Sequence, residues 1–320
     1  MNTSAGVSNG TSDRNGAGIS PHVKYLLDRS DADIIIRSSD NVTFRTFQSI
    51  LILGSPVLKD LIQQQLDLTL QEDAETTLPT LYMSEDSDTI ERLLLLSYPR
   101  WTPFPELNHL QEVKNILAAA VKYKMEGALK FLREALKNSP LIAKEPRRFF
   151  AIACQYELAE AAKLAIRHTF PLPLCSDEIT PELDDISAGA LYRLHACHYE
   201  CRAAVCGLVA SFKSLYEDKG SMGFMSPRPC TRDEPLTCTE LWWIGCINEL
   251  TETLTMSPRI ETSLSPEFIK NASSRAAYRC SNCINRSVSD MKQFNKTFAA
   301  EVEKLMIKVY RSDELAEFQF

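Results

Sequence analysis

Residues 32–62 of the chain read ADIIIRSSDNVTFRTFQSILILGSPVLKDLI. Two runs of β-branched and aromatic residues, 32–37 and 42–47, flank the turn-forming residues SSDN, and this pattern predicts a β-hairpin. Apolar side chains then recur at helical spacing. The GSP tripeptide at 54–56 interrupts this repeat, because its serine can cap a helix and its proline can begin one. The stretch therefore predicts a hairpin followed by two short helices that meet at a tight corner.

Outside this stretch, one more strand and several helices are predicted. An extended segment is expected at residues 77–83, where Pro79 favours the edge of a sheet. Ser84 is expected to cap the next helix, and amphipathic repeats continue to residue 138. Beyond that point only helical repeats remain. We therefore predict an α+β fold, with a small sheet capped by helices followed by an all-helical region.

The same patterns divide the chain into segments. Residues 1–19 are rich in Ser, Gly, Asn and Thr without apolar periodicity, which predicts a disordered tail. Residues 20–138 are predicted to form the α+β domain. Residues 139–320 are predicted to form a helical extension, with a loop at about 217–235 that contains three Pro residues and one Cys.

Composition narrows the classes of partner. With 320 residues and a net charge of −7, the chain has no cluster of Lys and Arg that would neutralise phosphates, so nucleic acid is not expected as a partner. No apolar run reaches the roughly eighteen residues that a membrane-spanning helix needs. The first residues lack the features of a signal peptide, so a cytoplasmic or nuclear location is expected, with the ten cysteines reduced.

Several blocks of the sequence resemble the BTB/POZ family, in particular its branch abundant in fungi. The opening block is DADIIIRSSDNVTFRTFQSILILGSPVLKDL, followed by LYMSEDSDTIERLLLLSYP and VKNILAAAVKYKMEGALKFLREAL. The segments EPRRFFAIACQYELAEAAKLAIRHTF and PELDDISAGALYRLHACHYECRAAV are similar to the helical extension of that branch. The resemblance covers residues 30–212.

This resemblance implies a binding function. Relatives form homodimers, recruit transcriptional co-regulators or connect substrates to a cullin-type ubiquitin ligase. The expected interaction positions are Asp33, Phe47 and Gln48 on the dimer face, and the exposed helix faces around Tyr98 and Leu110.

The chain departs from the family at the dimer face. Positions 47 and 48 are often His and then Arg or Lys in relatives, whereas this chain has Phe47 and Gln48. Asp33 therefore lacks its basic partner. Since an unpaired buried carboxylate is costly, we expect Asp33 to be exposed or bonded to backbone amides.

Cysteine-rich segments leave a zinc site as an open alternative. Cys280 and Cys283 have the CxxC spacing that lets two thiolates reach one zinc ion, and Cys230 and Cys238 lie upstream. The spacing between Cys230 and Cys238 is wider than usual, and unligated thiols explain the pattern more simply. A cysteine-rich, metal-stabilised or redox-active protein is accordingly the second functional hypothesis.

Two further groups are interpreted as core. His198 and Cys201 share a helix face, but they also continue an apolar stripe, so burial is favoured over metal ligation. Trp242 and Trp243 are expected to seal the carboxy-terminal helices. The five histidines match no catalytic motif and no Gly-rich phosphate loop is present, so we predict a protein that is not an enzyme and that has no cofactor unless zinc binds.

Overall fold

The computed structural model describes residues 27–69, 78–98, 107–172, 180–219, 238–256, 265–268, 270–271 and 281–310. It divides into two compact units, Met1–Glu134 and Ala135–Phe320, called here the amino-terminal and carboxy-terminal units. The predicted tail at 1–19 lies outside the described residues. The proposed domain limits of 20–138 and 139–320 stay predictions.

A three-stranded sheet is the centre of the amino-terminal unit. Strand β1 (Ile34–Arg37) pairs antiparallel with β2 (Thr43–Thr46), which confirms the predicted hairpin. Strand β3 (Thr80–Tyr82) pairs parallel with β1, and the order is β2-β1-β3. The strand that follows Pro79 is therefore at an edge of this sheet, as the sequence predicts.

The turn of the hairpin is fixed by its polar side chains. Asn41 has a φ of 65°, a left-handed conformation that asparagine tolerates better than most residues. The hydroxyl of Ser38 accepts a hydrogen bond from the backbone N–H of Val42 at 2.9 Å. Asp40 accepts hydrogen bonds from the amide of Ser87 at 3.0 Å and from its hydroxyl at 2.6 Å. The turn is thus tied to the start of a later helix.

Five helices complete the described part of this unit and continue just past its end: α1 (Gln48–Gly54), α2 (Pro56–Thr69), α3 (Ser87–Ser97), α4 (Leu110–Lys122) and α5 (Glu126–Lys137). The expectation that Ser84 caps α3 is wrong. Asp86 is the cap, since its side chain accepts the N–H of Thr89 at 2.8 Å. The Ser84 hydroxyl instead donates a hydrogen bond to the carboxylate of Glu85 and accepts one from the ammonium group of Lys122.

The corner between α1 and α2 depends on Ser55. Its side chain is fully buried and accepts a hydrogen bond from the N–H of Leu58 at 2.9 Å, which caps α2. The same hydroxyl donates to the carbonyl oxygen of Tyr123 at the end of α4. One small side chain therefore caps a helix and joins it to a segment distant in sequence.

The described part of the carboxy-terminal unit is helical. Its elements are α6 (Leu141–Lys144), α7 (Pro146–Gln155), α8 (Ala159–Thr169), a 3-10 helix (Pro181–Asp185), α9 (Ala188–Lys219), α10 (Cys238–Met256) and α11 (Ser281–Tyr310). Helix α9 includes residues 217–219, where a loop was expected. The rest of that predicted loop lies outside the described residues.

Aromatic contacts seal α10 against the neighbouring helices. Trp243 is buried and meets the ring of Phe294 edge-on, with centroids 5.0 Å apart. Phe294 stacks on Phe298 at 5.4 Å and Phe212 lies across both rings. This cluster confirms that Trp243 belongs to the core; the side chain of Trp242 lies outside the described set.

The α+β class with a following helical region is therefore confirmed. In the described ranges, no helix combines the length and apolar character that crossing a membrane requires.

Replacing Ser55 with alanine tests the corner. We expect Ser55→Ala to lower the free energy of unfolding by about 2 kcal/mol, because the N–H of Leu58 and the carbonyl of Tyr123 lose a buried partner. Urea denaturation of the full chain measures this change. Ser49→Ala, at an exposed position of α1, is the matched control and should differ by less than about 0.5 kcal/mol. Equal effects of both substitutions would contradict the assigned role.

Candidate interaction surface

The corner between β2 and α1 brings together three of the predicted interaction residues. The backbone N–H of Gln48 donates to a carboxylate oxygen of Asp33 at 2.7 Å, and the Gln48 side-chain amide donates to the Asp33 carbonyl at 3.0 Å. Asp33 is exposed. The expectation that this carboxylate is exposed or bonded to a backbone amide is thus confirmed. Its negative charge also lies at the start of α1, where the helix dipole favours it.

Phe47 adds a half-buried aromatic ring to the same corner. The guanidinium of Arg29 lies 5.4 Å from the centroid of this ring, within the range of a cation–π contact. Arg29 also donates two hydrogen bonds to the carboxylate of Asp31, at 2.8 and 2.7 Å. These hydrogen bonds hold the pKa of Asp31 below its usual value. The ring, the guanidinium and the carboxylate form a short charged rim beside Gln48.

Tyr98 and Leu110 do not lie on an exposed face, so that expectation is corrected. Only 8% of Tyr98 is exposed, and its hydroxyl is hydrogen-bonded to the Thr46 hydroxyl at 2.8 Å. Burial raises the pKa of Tyr98. Leu110 is 1% exposed because it shares the core-facing side of α4 with Val113 and Leu117. Both side chains therefore belong to the buried core.

The apolar residues exposed on α1 are a feature that the sequence reading missed. Leu51 is fully buried, whereas Leu53 is 89% exposed. Ile50 and Ile52 flank Leu53 and are half-buried. We call Ile50, Ile52 and Leu53 the α1 apolar face. A short helix with four consecutive apolar residues cannot bury all of them on one side, and this run was the available signal.

The α1 apolar face continues from the corner of Asp33, Phe47 and Gln48, because α1 begins at Gln48. The combined surface has an apolar centre with a polar and charged rim. This composition is typical of protein–protein interfaces. What it can do chemically is bind another polypeptide.

The candidate ligand pair on α9 is part of the core. His198 and Cys201 are buried, and the Nε2 atom of His198 is hydrogen-bonded to the Thr169 hydroxyl at 2.8 Å. Phe170 packs edge-on against the imidazole, with centroids 5.2 Å apart. Burial, with smaller contributions from the charges of His195 and Arg147, lowers the pKa of His198 to about 4. Across the ranges that the structure describes, no three His, Cys, Asp or Glu side chains form a metal-binding group.

The structure does not describe the side chains of the four cysteines proposed for zinc. Cys230 and Cys280 lie outside the described residues, and Cys238 and Cys283 are described only as members of α10 and α11. The zinc site therefore stays a prediction.

Three thiols that the structure does describe are buried and have raised pKa values. Burial raises the pKa of Cys154 to about 12, that of Cys201 to about 11 and that of Cys246 to about 12. Thiols that stay protonated react slowly, since the thiolate is the nucleophile. These three positions favour packing over redox chemistry.

Comparison with known families gives a match that lies in the amino-terminal part of the chain. Residues 24–140 match the family model of the BTB/POZ domain, a domain that mediates protein–protein interaction and dimerisation and is not enzymatic. No curated protein matches the chain. A BTB/POZ domain thus lies within the first half of the chain, as the resemblance implied. The relation to the fungal branch and to its helical extension stays a prediction.

Protonation of His198 should make the protein less stable in acid. Its pKa is about 4 in the folded chain, against about 6.5 when unfolded. The unfolded chain therefore binds the proton first, so stability is present above pH 6.5 and is lost as the pH falls towards 4. We expect the wild type to lose about 3 kcal/mol more than His198→Gln between pH 7 and 4.

Denaturant titrations at several pH values measure this difference. His168→Gln, at an exposed position of α8, is the control and should keep the wild-type pH dependence. Parallel pH profiles for wild type and His198→Gln would show that this imidazole is not the responsible group.

Proposed function

We propose that this chain is a non-enzymatic protein–protein interaction module that forms a homodimer through the α1 apolar face and docks further proteins. The observation that carries the proposal is the 89% exposure of Leu53 at the centre of that face. An aliphatic side chain so fully exposed gains free energy when a second surface covers it.

The magnitude supports a symmetric pairing. Burying one leucine side chain contributes about 2 kcal/mol. In a two-fold interface each residue of the face is used twice, so Leu53 and its two isoleucine neighbours are counted in both subunits. The polar groups of Asp33, Gln48 and Arg29 beside this face supply contacts that fix orientation. The BTB/POZ domain at residues 24–140 supports the same reading, because such domains dimerise.

The docked partner is proposed to be a component of a regulatory complex. We favour an adaptor that connects a substrate to a cullin-type ubiquitin ligase, with a transcription-related scaffold as the alternative. A cytoplasmic or nuclear location agrees with either role. No chemistry on the partner is assigned to this chain.

Introducing a charge at Leu53 tests the homodimer. We expect the wild-type chain to sediment as a dimer and Leu53→Lys to weaken the dimer at least about thirtyfold, because a central anchor typically contributes about 2 kcal/mol or more. Sedimentation equilibrium of the full chain over a range of concentrations gives both dissociation constants.

A matched substitution separates this surface from a general effect of added charge. Val121→Lys, at a side chain of α4 that is 48% exposed, should leave the dimer unchanged. A monomeric wild type, or equal dissociation constants for wild type and Leu53→Lys, would refute dimerisation through α1. Circular dichroism checks that each variant is folded.

Direct binding to a purified cullin-type scaffold tests the adaptor role. We expect saturable binding of the full chain in isothermal titration calorimetry, with a dissociation constant below about 10 µM. A preparation of the chain denatured in urea and diluted into the same buffer is the control for non-specific heat. No saturable heat at that concentration would refute the cullin role and favour the transcription-related scaffold.

A further inference from the structure

The sheet of the amino-terminal unit has a second face, on which the side chains are exposed or partly exposed. Ile34 and Ile36 point to the core and are fully buried. Because side chains alternate along a strand, Ile35 and Arg37 lie on the opposite face. The register places Arg37 beside Thr43 and Tyr82, and it places Ile35 beside Arg45 and Thr80. We call these six residues the outer sheet face.

Two arginines on this face each have a buried side-chain nitrogen with no hydrogen-bond partner among the residues that the structure describes. The Nε atoms of Arg37 and Arg45 are buried and make no hydrogen bond. Nothing in the described part of the chain forms an ion pair with either guanidinium. Most guanidinium N–H groups that are removed from water have an acceptor, so two neighbouring exceptions require an explanation.

The acidic residues nearest in the sheet are engaged elsewhere or are not bonded to these arginines. Asp33 accepts the N–H of Gln48, and Asp40 accepts the hydroxyls of Ser38 and Ser87. Asp28 meets Arg45 through an isolated backbone bridge, but no ion pair joins their side chains within the described residues.

The spacing of the arginines defines the ligand. Arg37 is opposite Thr43, and Arg45 is two residues further along β2, so the arginines are diagonal neighbours. The Cα atoms of such neighbours are about 7–8 Å apart, and their Cβ atoms are slightly closer. In an extended peptide, two residues at alternate positions have their side chains on one side, and their Cα atoms are about 6.6–6.8 Å apart. Carboxylates at alternate positions of an extended strand therefore match the two guanidinium groups.

Tyr82 extends the same surface towards the edge of the sheet. Its side chain is 69% exposed beside Arg37 on the edge strand β3. Exposed tyrosine offers apolar contact area and a hydroxyl at low entropic cost, as in many binding sites. Because alternate side chains of an extended peptide share one side, an apolar side chain two residues beyond the carboxylate paired with Arg37 can pack on this ring.

We propose that the outer sheet face binds an extended acidic segment of a partner protein, with two carboxylates at alternate positions paired to Arg37 and Arg45. This rests on the proposed role in protein binding, but it uses a surface other than the α1 apolar face. A net charge of −7 opposes long polyanions such as nucleic acids. A short acidic peptide needs only the two local cations.

The probe for this site is a fluorescein-labelled hexapeptide with glutamate at its second and fourth positions and threonine at its third. Fluorescence anisotropy with the full chain measures its dissociation constant at low ionic strength. We expect the double variant Arg37→Gln, Arg45→Gln to bind at least about tenfold more weakly, since two charge-assisted pairs are lost. The same peptide with glutamine in place of glutamate should show a comparable loss on the wild type.

A second double variant controls for net charge. Lys130→Gln with Arg133→Gln removes the same charge from exposed positions of α5, and it should bind the glutamate peptide like the wild type. Leu53→Lys should also bind the peptide normally, so that failure of the homodimer and failure of this site are distinguishable.

Several results would overturn the proposal. They are the absence of saturable binding of the glutamate peptide, equal binding by the glutamine peptide, and equal loss in the Lys130, Arg133 control. Dissociation of the dimer in the Arg37, Arg45 variant would assign this face to a second copy of the chain instead. Circular dichroism of each variant shows whether a loss of binding reflects a loss of folding.

Discussion

The two-residue alternation of strand β1 is the constraint on which the amino-terminal unit depends. Ile34 and Ile36 are fully buried among the side chains of the core, while Ile35 and Arg37 are directed away from it. A shift of one residue in the pairing with β2 would bury Arg37 and expose both core isoleucines. The register thus fixes the core and also decides which side chains are presented to other molecules.

Much of this architecture follows from local sequence. The β-branched runs on both sides of SSDN specify the hairpin, and the GSP tripeptide specifies the corner between α1 and α2. The edge position of β3 follows from Pro79. The start of α3 was predicted less well, since Asp86 and not Ser84 is its cap, because helix ends depend on caps and contacts that periodicity does not report.

The residues of the candidate surface were harder to predict from the sequence. Leu53 fits the apolar repeat of its neighbours, yet it is 89% exposed, because a short helix that buries Leu51 cannot also bury the rest of a four-residue apolar run. Tyr98 was expected on an exposed helix face, and it is buried because its hydroxyl finds Thr46 on β2. Both outcomes depend on how the helices pack in the folded chain, which the local sequence does not report. The lack of a hydrogen-bond acceptor for the buried Nε atoms of Arg37 and Arg45 within the described ranges is equally a tertiary property.

The parallel pairing of β1 and β3 also has a kinetic consequence. The hairpin joins residues that are close in sequence, such as Ile36 and Phe44, whereas Ile36 and Leu81 are joined across α1 and α2. Closing this larger loop costs chain entropy before any contact is gained. During synthesis the hairpin can form early, but the sheet cannot be completed until the segment carrying Leu81 has left the ribosome. Until then the free edge of β1 is open to pairing with other nascent chains, so the unit is sensitive to aggregation during this interval.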